Sequence, residues 1–143
     1  MRFPSILPVV ALVGSMLLAC KGGPEAVAAG GPNYRVLAPA ISVAVGSADH
    51  ADISFQPQGD YHWNAEYPAK AKVTNPGALA VDKSEFAAAD FQDRSGTGVL
   101  SVPLAGKSAG DTRLAVSADF SMCSAKNCLF FKGIPVEVPV HVQ

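Results

Sequence analysis

Cys123 and Cys128 stand near the C-terminal end of the chain with four residues between them, and the sequence holds one other cysteine, Cys20. Two thiols this close can join in a disulfide. They can also pass it on: an incoming thiolate forms a mixed disulfide with one sulfur and the other sulfur resolves it. Lys126 lies between them and its charge would favour a thiolate. As a staple the pair is weak, because a loop this short gains roughly 2 kcal/mol, against about 4 to 5 for a loop of a hundred residues. Spacing alone leaves both jobs open, redox exchange and an inert bond.

Other constellations carry less. Aromatic His62, Trp63 and Tyr67 can form a lid over the cysteine loop; the alternative is a packed inter-strand corner bent by Pro68. His62 and His141 can be set beside reduced cysteines and Met122 as soft ligands for copper or zinc. No pair among them has zinc-finger spacing, so no metal and no cofactor is expected. Asp90 and Asp93 read as a polar turn. Ser, His and Asp are too scattered for a hydrolase triad, and the glycines follow no phosphate-cradling pattern. If there is an activity, it belongs to the thiols.

The address of the chain bears on their oxidation state. Arg2 supplies one positive charge, and Phe3 to Leu18 are almost entirely apolar. A membrane span needs about 20 apolar residues, and Pro4 and Pro8 interrupt this run, so residues 1–19 read as an export signal. Leu17-Leu18-Ala19-Cys20 resembles the lipobox of bacterial lipoproteins. That resemblance implies a lipid on the Cys20 thiol, cleavage before it, acylation of the new amino end, and attachment of everything downstream to a bilayer. Lys21 follows where an Asp would signal inner-membrane retention, which points to the outer membrane, facing the periplasm. Outside the cytoplasm disulfides persist, and with Cys20 lipidated the remaining two cysteines pair with each other. Loss of Arg2 with the signal moves the formal charge from −1 to −2. No basic patch suggests nucleic acid.

Residues 20–33, rich in Gly, Pro and Ala, read as a flexible tether. The domain then runs from 34 to 143. Its pattern has the period of two that marks strands with one buried face. Val136, Val138, Val140 and Val142 alternate with Pro135, Glu137, Pro139 and His141; Leu114, Val116, Ala118, Phe120 and Met122 do the same, as do Leu100, Val102 and Leu104. Shorter pairs suggest strands at Val43 and Val45, Ile53 and Phe55, and Ala69 to Val73. The prolines of the last strand belong at an edge or an unpaired side. Asn75-Pro76-Gly77, Ser95-Gly96-Thr97-Gly98 and Gly106 to Asp111 supply turns. Only Ser84 to Phe91 invites a helical turn, with Phe86 inward. About six or seven short strands predict an all-β, immunoglobulin-like antiparallel β-sandwich, preceded by the signal peptide and tether.

Ala118-Asp119-Phe120-Ser121-Met122-Cys123 through Cys128, followed by the strand Val136 to Val142, resembles the N-terminal periplasmic domain of the thiol:disulfide interchange protein DsbD and small stand-alone exported proteins built on that module. Tyr61-His62-Trp63-Asn64-Ala65-Glu66-Tyr67-Pro68 is similar to a Tyr-His-x-Asn-x-x-Tyr-Pro segment of the stand-alone relatives. The resemblance covers roughly residues 50 to 143. It implies a cysteine pair, here Cys123 and Cys128, that accepts electrons from a membrane transporter and passes them to thioredoxin-like periplasmic partners. In DsbD five residues separate the two cysteines, and the transporter segment and thioredoxin-like domain of that protein have no counterpart here, so separate partners would be required. The rival expectation is a non-enzymatic binding or structural envelope lipoprotein with an inert disulfide.

Overall fold

A computed structural model describes residues 27–143. The export segment, Cys20 and the first part of the tether lie outside the described residues. Strands β1 (Val27–Gly31), β2 (Tyr34–Leu37), β3 (Ile41–Val43), β4 (Ala48–Pro57), β5 (His62–Trp63), β6 (Lys70–Asn75), β7 (Leu79–Ala80), β8 (Glu85–Phe86), β9 (Phe91–Arg94), β10 (Thr97–Gly106), β11 (Gly110–Cys123) and β12 (Cys128–Val142) form two sheets. One runs β1-β2-β4-β10-β7, with β9 also on β10; the other runs β3-β12-β11-β6-β8, with β5 also on β11. The order β2-β4-β10-β7 facing β12-β11-β6 matches the A-B-E-D and G-F-C sheets of an immunoglobulin-like sandwich. Among the described residues no helix is long and apolar enough to cross a membrane.

Alternation builds the core. Leu114, Val116, Ala118, Phe120 and Met122 of β11 and Val136, Val138, Val140 and Val142 of β12 are buried, and from the other sheet Ala51, Ile53 and Phe55 of β4 meet Leu100, Val102 and Leu104 of β10. Each of the Leu, Val, Ile, Phe and Met side chains among them contributes about 1.5–3 kcal/mol on withdrawal from water. Pro135 and Pro139 lie where β11 is the only strand paired with β12, before β3 joins at Val140–Val142, so their missing N–H groups interrupt no second ladder.

Three features differ from the sequence expectation. The sandwich is not wholly antiparallel: the chain leaves β2 in one sheet, crosses at Ala38-Pro39-Ala40, and enters the other as β3, parallel to β12. Val27–Gly31, counted with the tether, pairs with β2 as a hairpin. Ser84 to Phe91 makes no α-helix. Glu85 and Phe86 pair with Lys72 and Ala71, and Ala88–Asp90 form one 3₁₀ turn. Burial of Phe86 outweighs local propensity here, and Asp90 closes the turn by accepting the Ala87 N–H at 2.8 Å and the Lys83 ammonium at 2.5 Å.

The long β11–β12 hairpin contains one irregularity that governs its tip. Ala118 faces Ile134 and Phe120 faces Phe131, so Asp119 opposes both Lys132 and Gly133. Gly133 has φ 63° and gives its N–H to the Asp119 carboxylate at 2.7 Å. This is a bulge with a left-handed glycine. It switches the inward parity of β12 from Val136 and Ile134 to Phe131 and Leu129, so both halves of the strand present apolar groups to the core.

Candidate functional site

Beyond the bulge, the hairpin ends in the pair Cys123 and Cys128, joined by a disulfide with Cα atoms 4.0 Å apart. The four residues of the turn bond among themselves. Ser124 N–H donates to the Asn127 carbonyl at 2.8 Å, and the Ser124 hydroxyl oxygen accepts the N–H groups of Lys126 and Asn127 at 3.2 and 3.3 Å. The turn thus has its own hydrogen-bond closure besides the sulfur bridge. Lys126 sits in it, exposed.

Strand β5 lies on the opposite side of β11 from β12. Trp63 pairs with Met122 and His62 with Cys123. Because Trp63 and Met122 are both buried in the core, strand alternation puts His62 and Cys123 together on the outer face. His62, Cys123 and Cys128 form one row across three strands. In the neighbouring row, Asn64 N–H donates to the Ser121 carbonyl at 3.0 Å, its side-chain amide reaches the Ser121 hydroxyl at 3.4 Å, and Ser121 faces Phe130. The Tyr61 hydroxyl donates to the Asn127 side chain at 3.1 Å, and the Tyr67 ring lies 5.4 Å from Phe130. Residues 61–67 therefore strap the outer face of the hairpin tip at both β11 and the turn.

The two sulfur-bearing residues differ in access: Cys123 is 8% exposed and buried, while Cys128 is exposed. Phe130, two residues beyond Cys128 on the same face, is 60% exposed and one of only two large exposed hydrophobics among the described residues. The period of two carried back from Val136 would turn Phe130 inward; the bulge at Gly133 reverses the parity and leaves it exposed. Tyr61 lies too far along the chain from Asn127 for its contact to be foreseen.

The three aromatic positions expected as a lid divide. His62 flanks Cys123 and Tyr67 packs on Phe130, but Trp63 is a core residue, stacked on Phe91 at 5.5 Å and on Phe120 at 6.0 Å. Its indole lies over Gly98, at which a β-carbon would overlap the ring. Tyr34, Phe55 and Phe131 complete an aromatic floor under the tip. His141 lies on β12 at the far end of the hairpin, its Nδ1 hydrogen-bonded to the Asp111 carboxylate at 2.7 Å, so it does not join His62. Among the described residues no three His, Cys, Asp or Glu side chains gather as metal ligands.

A cleft of about 750 Å³ opens elsewhere on this outer face, between β6, β8 and β11. Its cations are matched: Lys70 with Asp119 at 3.6 Å, Lys72 with Glu85 at 3.7 Å, and Lys83 with Asp90 at 2.5 Å. The Lys83 ammonium, then the Ala87 N–H, hold the Asp90 carboxyl below the usual carboxylate range.

No known protein-family model matches the chain, and no curated protein does. Among solved structures it is similar to domains 4 and 5 of the S-layer protein SbsC, with a TM-score of 0.34 and 16% identity over 76% of this chain; it spans 50% of that one. It is also similar to PapD-like domain 7 of human CEP192, with a TM-score of 0.37 and 11% identity over 97% of this chain and 98% of that one. Likenesses this distant say nothing about function. The immunoglobulin-like sandwich rests on the strand order, and the disulfide at its hairpin tip is the feature with chemistry.

Proposed function

We propose that this protein is an envelope lipoprotein, anchored through Cys20 and facing the periplasm, whose Cys123–Cys128 disulfide exchanges with the thiols of thioredoxin-like partners. Electrons would come from a separate membrane transporter. One observation carries the proposal: the disulfide lies at an outer rim with Cys128 exposed and the exposed Phe130 beside it, where a partner's thiolate can approach in line. Support also comes from the small structural return of so short a bridge and from the resemblance to the DsbD N-terminal domain.

The difference in access sets the order of events. The burial of Cys123 and the exposure of Cys128 make Cys128 the sulfur that is attacked. Replacing Cys123 with Ser should therefore trap mixed disulfides through Cys128 in envelope extracts, and replacing Cys128 should trap far fewer. A redox titration is the direct test. An exchanging pair should show a potential well above about −300 mV, whereas structural bonds typically lie below it. A value below that limit, together with no trapped partner, would leave the rival reading of a structural or binding module with an inert bridge.

A further inference from the structure

His62 is the third member of the outer-face row, beside the two cysteines. We propose that His62 is a charge-stabilising residue for disulfide exchange: as an imidazolium it holds the thiolate that Cys123 becomes when Cys128 is attacked. The inference deepens the thiol-exchange proposal and rests on it.

The placement is topological. His62 is the register partner of Cys123 on β5, on the flank opposite Cys128. Directly opposed residues of an antiparallel pair have Cβ atoms about 4.5–5.5 Å apart, within reach of a histidine ring. Two anchors hold His62 there. Trp63, next in sequence, is fixed in the aromatic floor and gives its N–H to the Gly96 carbonyl at 2.8 Å. Asn64, one residue on, is bonded twice to Ser121. A β-carbon built on Gly96 would lie 3.5 Å from the His62 Cβ, so the β9–β10 turn backs the residue on its other side.

The step balances without any further reactant than the partner's thiol. The partner's thiolate attacks Sγ of Cys128; the new sulfur–sulfur bond forms there, the Sγ123–Sγ128 bond breaks, and its electron pair leaves on Sγ of Cys123. A leaving thiol of lower pKa departs faster, and a cation next to Cys123 lowers that pKa. An unperturbed histidine changes charge between pH 5 and 8, and that is the range the test scans.

The other charged groups on the neighbouring elements are accounted for. Lys126 stands in the turn, Asp60 and Glu66 flank β5, and Asp93 and Arg94 belong to the β9–β10 turn. The Asp93 carboxylate accepts the Gly96 N–H at 2.8 Å, and the Arg94 guanidinium is bonded to Gln92 at 2.9 Å. Lys126 is the competing cation.

The test is reduction of the purified, oxidised full-length protein by dithiothreitol, with the rate constant expressed per attacking thiolate between pH 5 and 8. In the wild type this constant should fall about threefold as pH rises. His62→Gln should start at the lower value and stay flat; His62→Lys should stay high and flat; Lys126→Gln should keep the wild-type slope. Trp63 fluorescence verifies that each variant is folded. The redox potential should move with the rates, becoming more reducing in His62→Gln because the reduced form loses its stabilising charge. A wild-type disulfide that reacts readily but with the same constant at every pH, or a His62→Gln rate equal to that of the wild type, would overturn the role of His62 and leave the exchange proposal intact. Failure of the native wild type to react at all would overturn both.

Discussion

Gly98 shows how far a single missing methyl group decides the site. The Trp63 indole occupies the space that a side chain there would need, and Trp63 in turn fixes His62 against Cys123. Gly98→Ala should therefore cost about 1–3 kcal/mol through overpacking, read as a lowered urea midpoint, and should shift the Trp63 emission. Asp90 provides a second test at this scale. Its carboxyl is held below the ordinary range in the folded protein, so its contribution is complete above the unfolded-state value near pH 4 and is lost as pH falls through the folded value. The protection factor of the Ala87 amide, that is, its exchange relative to the intrinsic rate at the same pH, should fall on acidification below about pH 4, and Asp90→Asn should lower it at neutral pH.

Among the elements, the hairpin of β11 and β12 shows what was legible and what was not. Alternation in Leu114 to Met122 and in Val136 to Val142 located both strands and their inward faces, because one buried face imposes period two directly on residue choice. It stopped short in Cys128 to Gly133. There Leu129 and Phe131 have the opposite parity to Ile134 and Val136, and only an extra residue reconciles them; Gly133 was the lone mark of it. The cysteine pair could be placed on a loop between adjacent strands from spacing. Its neighbour His62 could not, since β5 reaches Cys123 by tertiary pairing and not by sequence proximity. Likewise spacing left Trp63 open between a lid and a packed inter-strand corner, and its partners from β9 and β11 place it in the packed corner. Gly133→Ala tests the bulge: a left-handed alanine costs about 1–2 kcal/mol, and the expected result is that loss in denaturant melts together with altered amide shifts confined to residues 118–134.

For the whole molecule, the sandwich is expected to stand without its sulfur bridge. The core draws on both sheets, and the hairpin turn carries its own hydrogen bonds. Replacing both Cys123 and Cys128 with Ala should lower stability by no more than about 2 kcal/mol, with an unchanged far-ultraviolet spectrum. Collapse of the fold would show that the bridge is structural. The crossing of the chain from β2 to β3 has a mechanical consequence. Val27 lies opposite Leu37 at the open end of the first hairpin, so a tug on the N-terminal side opens that ladder like a zip, one rung at a time. The same tug arriving at Ile41 meets a parallel partner in β12 and must slide all the rungs of that ladder together. The N-terminal hairpin would thus act as a fuse, yielding under tension while the thiol-bearing half of the molecule stays whole.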